Sequence, residues 1–238
     1  MALLLLDHNL PLMYSHIFKY IIIFVLAAGF ALPVKAQDSD SFKLARIQYR
    51  GGGDWYNDPS ALQNLAEFAR QQVPIAINPE YDDVDIGSPD LFNYPFAFLT
   101  GHGTITINQA EASNLRTYLQ NGGFLYVDDD YGLDKHFQKM IDKVFPNEEL
   151  VELPFDHPIY HQVFEFPEGL PKIHEHDGKP PQGFGIFLEG RLAVFYTYET
   201  NLGDGWTNPE VHNDPAAIRE KALQMGTNIL IYALTSGR

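Results

Sequence analysis

Two short apolar runs constrain this chain most: Phe96-Ala97-Phe98-Leu99-Thr100 and Phe124-Leu125-Tyr126-Val127. Neither alternates apolar with polar residues, so neither suits a strand with one face in water. Runs of this length fit strands covered on both faces, as in a parallel sheet. The segment between them predicts a helix with both ends marked. Asn108 and Glu111 make a capping-box start, Ala112, Leu115 and Leu119 supply the inner face, and Asn121-Gly122 stop it.

The same alternation extends in both directions. Leu44 to Tyr49 reads as a first strand ending in Arg50-Gly51-Gly52-Gly53-Asp54. Asp58 is then expected to cap a helix with Pro59 in its first turn. Leu62, Leu65, Ala66, Ala69 and Val73 keep the spacing of its buried face. A short strand, Ile75 to Ile77, precedes an expected acidic loop from Asn78 to Asp90. Leu133 to Phe145 predicts another helix. A long one follows Asp214-Pro215, with Ile218, Ala222, Met225, Ile229 and Leu230 turned inward. Leu150 to His212 differs in texture, being rich in Pro, Gly, His and aromatic residues. It holds strand-like pieces at Val163 to Phe166, Gly185 to Leu188 and Leu192 to Tyr198. Successive βα units with short turns predict a doubly wound, mostly parallel α/β sheet in one domain over residues 37–238.

Residues 1–36 stand apart from that domain. Ile21 to Ala28 is an unbroken apolar run, preceded by Lys19 and followed by Val34-Lys35-Ala36. That is the order of a charged region, an apolar core and a small-residue cleavage site, so a secretory signal peptide is expected. The mature chain would then be exported, periplasmic or envelope-associated. Residues 1–12 are surplus, because such a peptide could start at Met13. The competing reading is an uncleaved anchor, extended by Phe30-Ala31-Leu32 to nearly bilayer length. Only then would a membrane be a partner.

Charge narrows the partners. Of 16 basic and 31 acidic residues, residues 1–36 hold Lys19, Lys35 and Asp7, which leaves 14 basic against 30 acidic and a net charge of −16. This argues against nucleic acid and against an anionic membrane surface. A cationic partner, a metal or a neutral ligand fits better, so a small molecule or an envelope protein is the expected partner. The chain has no cysteine, which excludes disulfides, thiolate catalysis and thiolate metal sites.

Tyr49-Arg50-Gly51-Gly52, Thr100-Gly101-His102-Gly103, Gly122-Gly123-Phe124-Leu125, Asp128-Asp129, Asp156-His157-Pro158 and Gly190-Arg191-Leu192-Ala193-Val194 occur in that order. Together they resemble a bacterial domain family of unknown function related to the class I glutamine amidotransferase-like and ThuA-like folds. The resemblance implies a three-layer flavodoxin-like α/β fold and an extracytoplasmic setting, with no established activity. The amidotransferases of the wider superfamily use a cysteine on a strand-to-helix turn. This chain has none, so glutaminase activity does not transfer.

In open α/β sheets ligands bind beyond the carboxyl ends of the strands. That rule selects Arg50, Gly52, Asp54 and Trp55 after the first strand, Gly101 and His102 after the third, and Asp128 and Asp129 after the fourth. Asp128-Asp129-Asp130 could bind a divalent cation or share a proton as an acid–base pair. The bland alternative is that one Asp caps the helix after Tyr131-Gly132 while the others face water. With continued strand geometry, Asp128 and Asp130 would point to one side and Asp129 to the other. His102 between two glycines could approach a ligand or be a plain turn residue. Gly51-Gly52-Gly53 reads as a flexible turn without the P-loop lysine. Trp55 and Tyr56 either wall the cleft or pack.

A second constellation is histidine-rich. His174 and His176 stand at i and i+2, on one side of an extended segment and at a usable metal-ligand spacing. His157, His161 and His212 lie in the same loop-rich region. A metal would need a further ligand, for which His102, Asp128 and Asp129 are the candidates. Asp82-Asp83-Val84-Asp85 resembles part of a calcium loop but lacks its register, which favours a solvated acidic loop. Leu202-Gly203-Asp204-Gly205-Trp206 reads as a tight turn whose tryptophan either closes the cleft or packs. No serine-hydrolase elbow, Walker loop or dinucleotide fingerprint is present. The leading expectation is thus an exported ligand- or partner-binding module using the strand-end crevice. The alternative is a metal-dependent hydrolase with His and Asp ligands, and a third reading is a scaffold without a site.

Overall fold

The computed structural model describes residues 41–236; the expected signal segment lies outside the described residues. The strands are β1 (Phe42–Gln48), β2 (Ile77–Asp85), β3 (Phe96–Leu99), β4 (Phe124–Asp128), β5 (Val151–Glu152), β6 (Gln182–Leu188) and β7 (Arg191–Tyr198). They form one seven-stranded sheet in the order β2-β1-β3-β4-β7-β6-β5. The first five strands of that order run parallel, and β6 and β5 extend the sheet through antiparallel pairs. The helices are α1 (Ala61–Gln72), α2 (Gln109–Gln120), α3 (Asp134–Val144), α4 (Leu202–Trp206), α5 (Pro209–His212) and α6 (Ala216–Thr235). The result is the expected α/β architecture, a mostly parallel sheet flanked by helices. Among the described residues no helix is long and apolar enough to cross a membrane.

The two apolar runs behave as their patterns demand. Ala97, Leu99, Leu125 and Val127 face α2 and α3 in one buried cluster, while Phe96, Phe98, Phe124 and Tyr126 face α1, α4 and α6 in the other. The second face is aromatic: Phe96 stacks on Phe124 at 6.0 Å and Phe98 on Tyr126 at 5.6 Å. Trp206 closes it, fully buried, with its indole N–H donated to the Ala222 carbonyl at 2.8 Å. That settles Trp206 as packing rather than a lid, and the segment is a short helix rather than a tight turn. The α2 capping box is present as read, with both the Asn108 and the Glu111 side chains engaged.

Four local expectations need correction. The acidic loop is β2 itself, whose charges are tolerated because it is an edge strand. There Lys43 pairs with Asp82 at 2.8 Å, and Arg46 forks onto Asp83 at 2.8 and 3.0 Å, so no calcium loop forms. Val163 to Phe166 is not a strand; Asn228 of α6 takes its backbone instead, accepting from Val163 and Phe164 N–H at 2.9 Å each. Asp58 does not cap α1, which starts after Ser60. Instead Asp58 sits in a left-handed turn (φ 53°) that sends its carboxylate to the carboxyl end of the sheet. Finally, Asp128 at the end of β4 and Asp129 and Asp130 beyond it do not face water, since all are buried.

Candidate functional site

The site is built from loops that leave the carboxyl ends of β1, β3, β4 and β7, joined by the segment before β6 that carries His174 and His176. The loops after β1 and β3 run against each other: Arg50 bridges Thr106, and Asp54 N–H donates to the His102 carbonyl at 3.2 Å. This close approach explains the glycines. A Cβ on Gly101 (φ 127°) would lie 2.5 Å from the Tyr49 hydroxyl, and one on Gly51 (φ 120°) 2.5 Å from the Thr104 carbonyl. Asp54 in return accepts from the His102 backbone N–H. The His102 ring is held at both ends, Nδ1 by Asp54 Oδ2 at 3.1 Å and Nε2 by Asp130 Oδ1 at 3.0 Å. Burial lowers its pKa, but the Asp130 charge and the bond to Asp54 outweigh that, so the imidazole binds its proton more tightly than usual.

The aspartates divide the labour by side, as strand geometry predicts. Asp128 is a finished structural group. Its carboxylate accepts from Tyr126 OH (3.0 Å), Thr197 OH (2.7 Å), Leu202 N–H (3.2 Å) and Gly203 N–H (2.5 Å), tying β4 to β7 and α4. Burial pushes it up to about 6 despite those bonds. Asp129 points the other way and accepts from Asp134 N–H at 2.8 Å, supplying the helix cap after Tyr131-Gly132. Burial, then the Asp134 charge, pushes it up to about 8. Asp130 turns back toward the crevice and accepts from Asn57 at 2.6 Å and Asn201 at 3.3 Å.

Beyond Asp130 lies a cluster that the sequence did not single out as a unit. Asp204 of α4 is buried and meets His174 Nδ1 through Oδ2 at 2.6 Å and His212 Nε2 through Oδ1 at 3.5 Å. His212 Nε2 also lies 3.3 Å from Asp58 Oδ1, and His174 Nε2 lies 2.9 Å from Asp214 Oδ1. One potential ligand atom from each of His174, Asp204 and His212 falls within 4.8 Å of the others; the same holds for Asp58, Asp130 and Asp204. The hydrogen bond to the Asp204 carboxylate pushes His174 up to about 9. Asp204 itself is raised by burial and by the charges of Asp58 and Asp130.

Two further observations single out this crevice. Among the described residues seven buried side-chain N or O atoms lack a hydrogen-bond partner. Six of them, Asn57 Oδ1, Asp58 Oδ2, Thr100 Oγ1, His176 Nδ1, Asn201 Oδ1 and Asp214 Oδ2, belong to residues at this end of the sheet. Each such group carries a desolvation cost of about 1–3 kcal/mol. In addition, among the described residues Asp58, Glu199, Asn201 and Asn213 supply four of the five non-glycine residues with left-handed backbone. Strain of that kind, about 1–3 kcal/mol each, collects at functional sites.

The sequence-derived candidates are thus partly gathered and partly dispersed. His102 and Asp54 line the crevice, and His174 joins the cluster. His176 stands beside it, 3.3 Å from the Asn201 amide and edge-on to Tyr131, and its burial lowers its pKa. Asp128 and Asp129 have their oxygens directed at backbone amides and are not among the convergent groups. Arg50 pairs with Glu111 at the start of α2, Gly52 (φ 90°) borders open space, and Trp55 packs edge-on against Tyr56 under Arg46. His157 and His161 are elsewhere, against Tyr232 and Glu165. Sequence reasoning missed Asp204 as a candidate ligand and misassigned Asp58. A signal existed for Asp204, which lies between Gly203 and Gly205 as His102 lies between Gly101 and Gly103.

Fold and site together define an α/β domain that presents a histidine–carboxylate cluster at the carboxyl ends of its parallel strands. The chain belongs to the family described as a domain of unknown function, DUF4159, which matches residues 43–234. That match carries the family and no relation to the amidotransferases. No curated protein matches the chain.

Proposed function

We propose that the domain is an exported metal-dependent hydrolase whose cation is held by His174, His212 and Asp204. One observation carries the reading: three ligand atoms converge within 4.8 Å in a crevice ringed by unpartnered buried polar atoms. Two imidazoles and one carboxylate are a usual set for a catalytic divalent metal, in which a fourth position stays open for water. Metal-activated water would add across a substrate bond, one product keeping the hydroxyl and the other the proton. His102, between Asp54 and Asp130, supplies an acid–base group on the same crevice. Glutaminase chemistry has no nucleophile here, since cysteine is missing from all 238 residues.

A second reading, a binding module without turnover, is favoured by the neighbouring cavity. That cavity, about 250 Å³, has Tyr131, His176 and Tyr198 in its wall beside the carboxylates of Asp129, Asp134 and Asp177, which suits a small polar ligand. Metal analysis of the purified mature chain, then a panel of esters, phosphoesters, amides and glycosides with and without chelator, separates the two. Chelator-sensitive turnover supports the hydrolase. Bound metal without turnover favours the binding module. Absence of tightly bound metal, together with no thermal protection by zinc, manganese or calcium, overturns the metal reading.

A further inference from the structure

The two groups of convergent ligands share one residue, Asp204. Its two oxygens face different ways, Oδ2 toward His174 Nδ1 and Oδ1 toward His212 Nε2. Chemically the two groups differ. The first offers two imidazole nitrogens and a carboxylate, which suits zinc or another borderline transition metal. The second offers only oxygen, from Asp58, Asp130 and Asp204, which suits a hard cation such as manganese, magnesium or calcium. Two carbonyl oxygens without hydrogen-bond partners, those of Asn57 and Asn201, belong to side chains already bonded to Asp130.

Acidic groups alone would not make this a site. The further observation is Asp58: its side chain is only 7% exposed, yet Oδ2 has no partner while a ligand oxygen lies within 4.8 Å of those of Asp130 and Asp204. The backbone at Asp58 is left-handed (φ 53°), an arrangement without benefit to the α1 cap. Three buried carboxylates this close repel one another, and a second cation offsets that repulsion.

We propose that the crevice holds two cations bridged by Asp204, a nitrogen-rich position at His174 and His212 and an all-oxygen position at Asp58 and Asp130. This rests on the metal reading above and sharpens it to a two-metal centre, the arrangement that clamps both the attacking and the leaving oxygen in hydrolysis.

Stoichiometry tests it with the full mature chain. After loading with zinc and manganese and removal of excess metal, elemental analysis should find two equivalents per chain. The double variant Asp58→Asn/Asp130→Asn should keep one equivalent, as zinc, and His174→Ala/His212→Ala should keep one, as manganese. Asp204→Asn should lose both. Should that variant fail to fold, the wild-type chain loaded with manganese alone should show an exchange-coupled pair by electron paramagnetic resonance. A single equivalent in the wild type, or an uncoupled signal at full loading, overturns the bridge and leaves a one-metal site standing. No bound metal at all overturns both.

Discussion

Asp128 and Asp204 lie at the same end of the same sheet, both buried, and they have opposite surroundings. Asp128 is met by two hydroxyls and two backbone amides. Asp204 is met by imidazoles, by the Asn201 amide, and by the like charges of Asp58 and Asp130. A buried carboxylate with enough neutral donors is complete within the protein. One surrounded by other acids and histidines is complete only with a cation or a shared proton. The difference separates carboxylates satisfied within the protein from candidates for a site, where sequence proximity does not.

The comparison is most easily broken at Asp128. Asp128→Ala strands four donors and should cost about 4 kcal/mol in urea unfolding, by the same amount with and without divalent cation. Loss of cation protection at unchanged stability would put Asp128 in the site instead. Glu199 is a second completed carboxylate, fully buried and paired with Lys172 and the Asp177 N–H. Lys172→Met should cost about 3 kcal/mol, because it leaves that charge buried and unpaired. Burial raises the Glu199 pKa, but the bonds from Lys172 and Asp177 outweigh it and the folded value lies below the usual 4.5. A depressed folded value means the contribution is full above pH 4.5 and fades as pH falls through it. Acid titration of Lys172→Met should lack that part of the wild-type decline.

At the cluster the effects should be smaller and should depend on the cation. Zinc at a hundredfold excess over Kd should stabilise the wild type by about 2.7 kcal/mol. His212→Ala should lose that gain while changing stability in chelator by less than about 1 kcal/mol. Asp58→Asn should be the mildest, with the opposite sign: in chelator it removes one of three mutually repelling charges and keeps a residue that tolerates left-handed backbone, a gain of about 0.5 kcal/mol in thermal melts. Destabilisation by more than about 1 kcal/mol in chelator would make Asp58 a structural group like Asp128.

The layered fold was legible because burial on both faces leaves a local mark. Phe96–Leu99 is wholly apolar and Phe124–Asp128 is apolar up to its closing aspartate, and the Asn108/Glu111 box marks the start of α2 within the chain itself. The edge strand β2 was not legible, since Pro79 and four acidic residues imitate a loop, and Lys43 and Arg46 of the neighbouring strand, with Tyr94, pair Asp82 and Asp83 only in the folded chain. Of the site, His102, Asp54 and His174 were within reach, because position at a strand end or paired spacing pointed to them. Asp58 imitated a cap next to Pro59, and Asp204 was hidden in a segment whose tryptophan dominated its reading.

By itself, then, the sequence determined the layers, the strand ends and the absence of any thiol, all of which follow from short-range periodicity and composition. Only the tertiary structure decided which acids share a volume. Asp58, Asp130, His174, Asp204 and His212 span more than half the chain in number and 4.8 Å within each triad in space. Their meeting depends on how β1, β4 and β7 align and on where α4, α5 and the segment before β6 dock, and no local pattern records those distances.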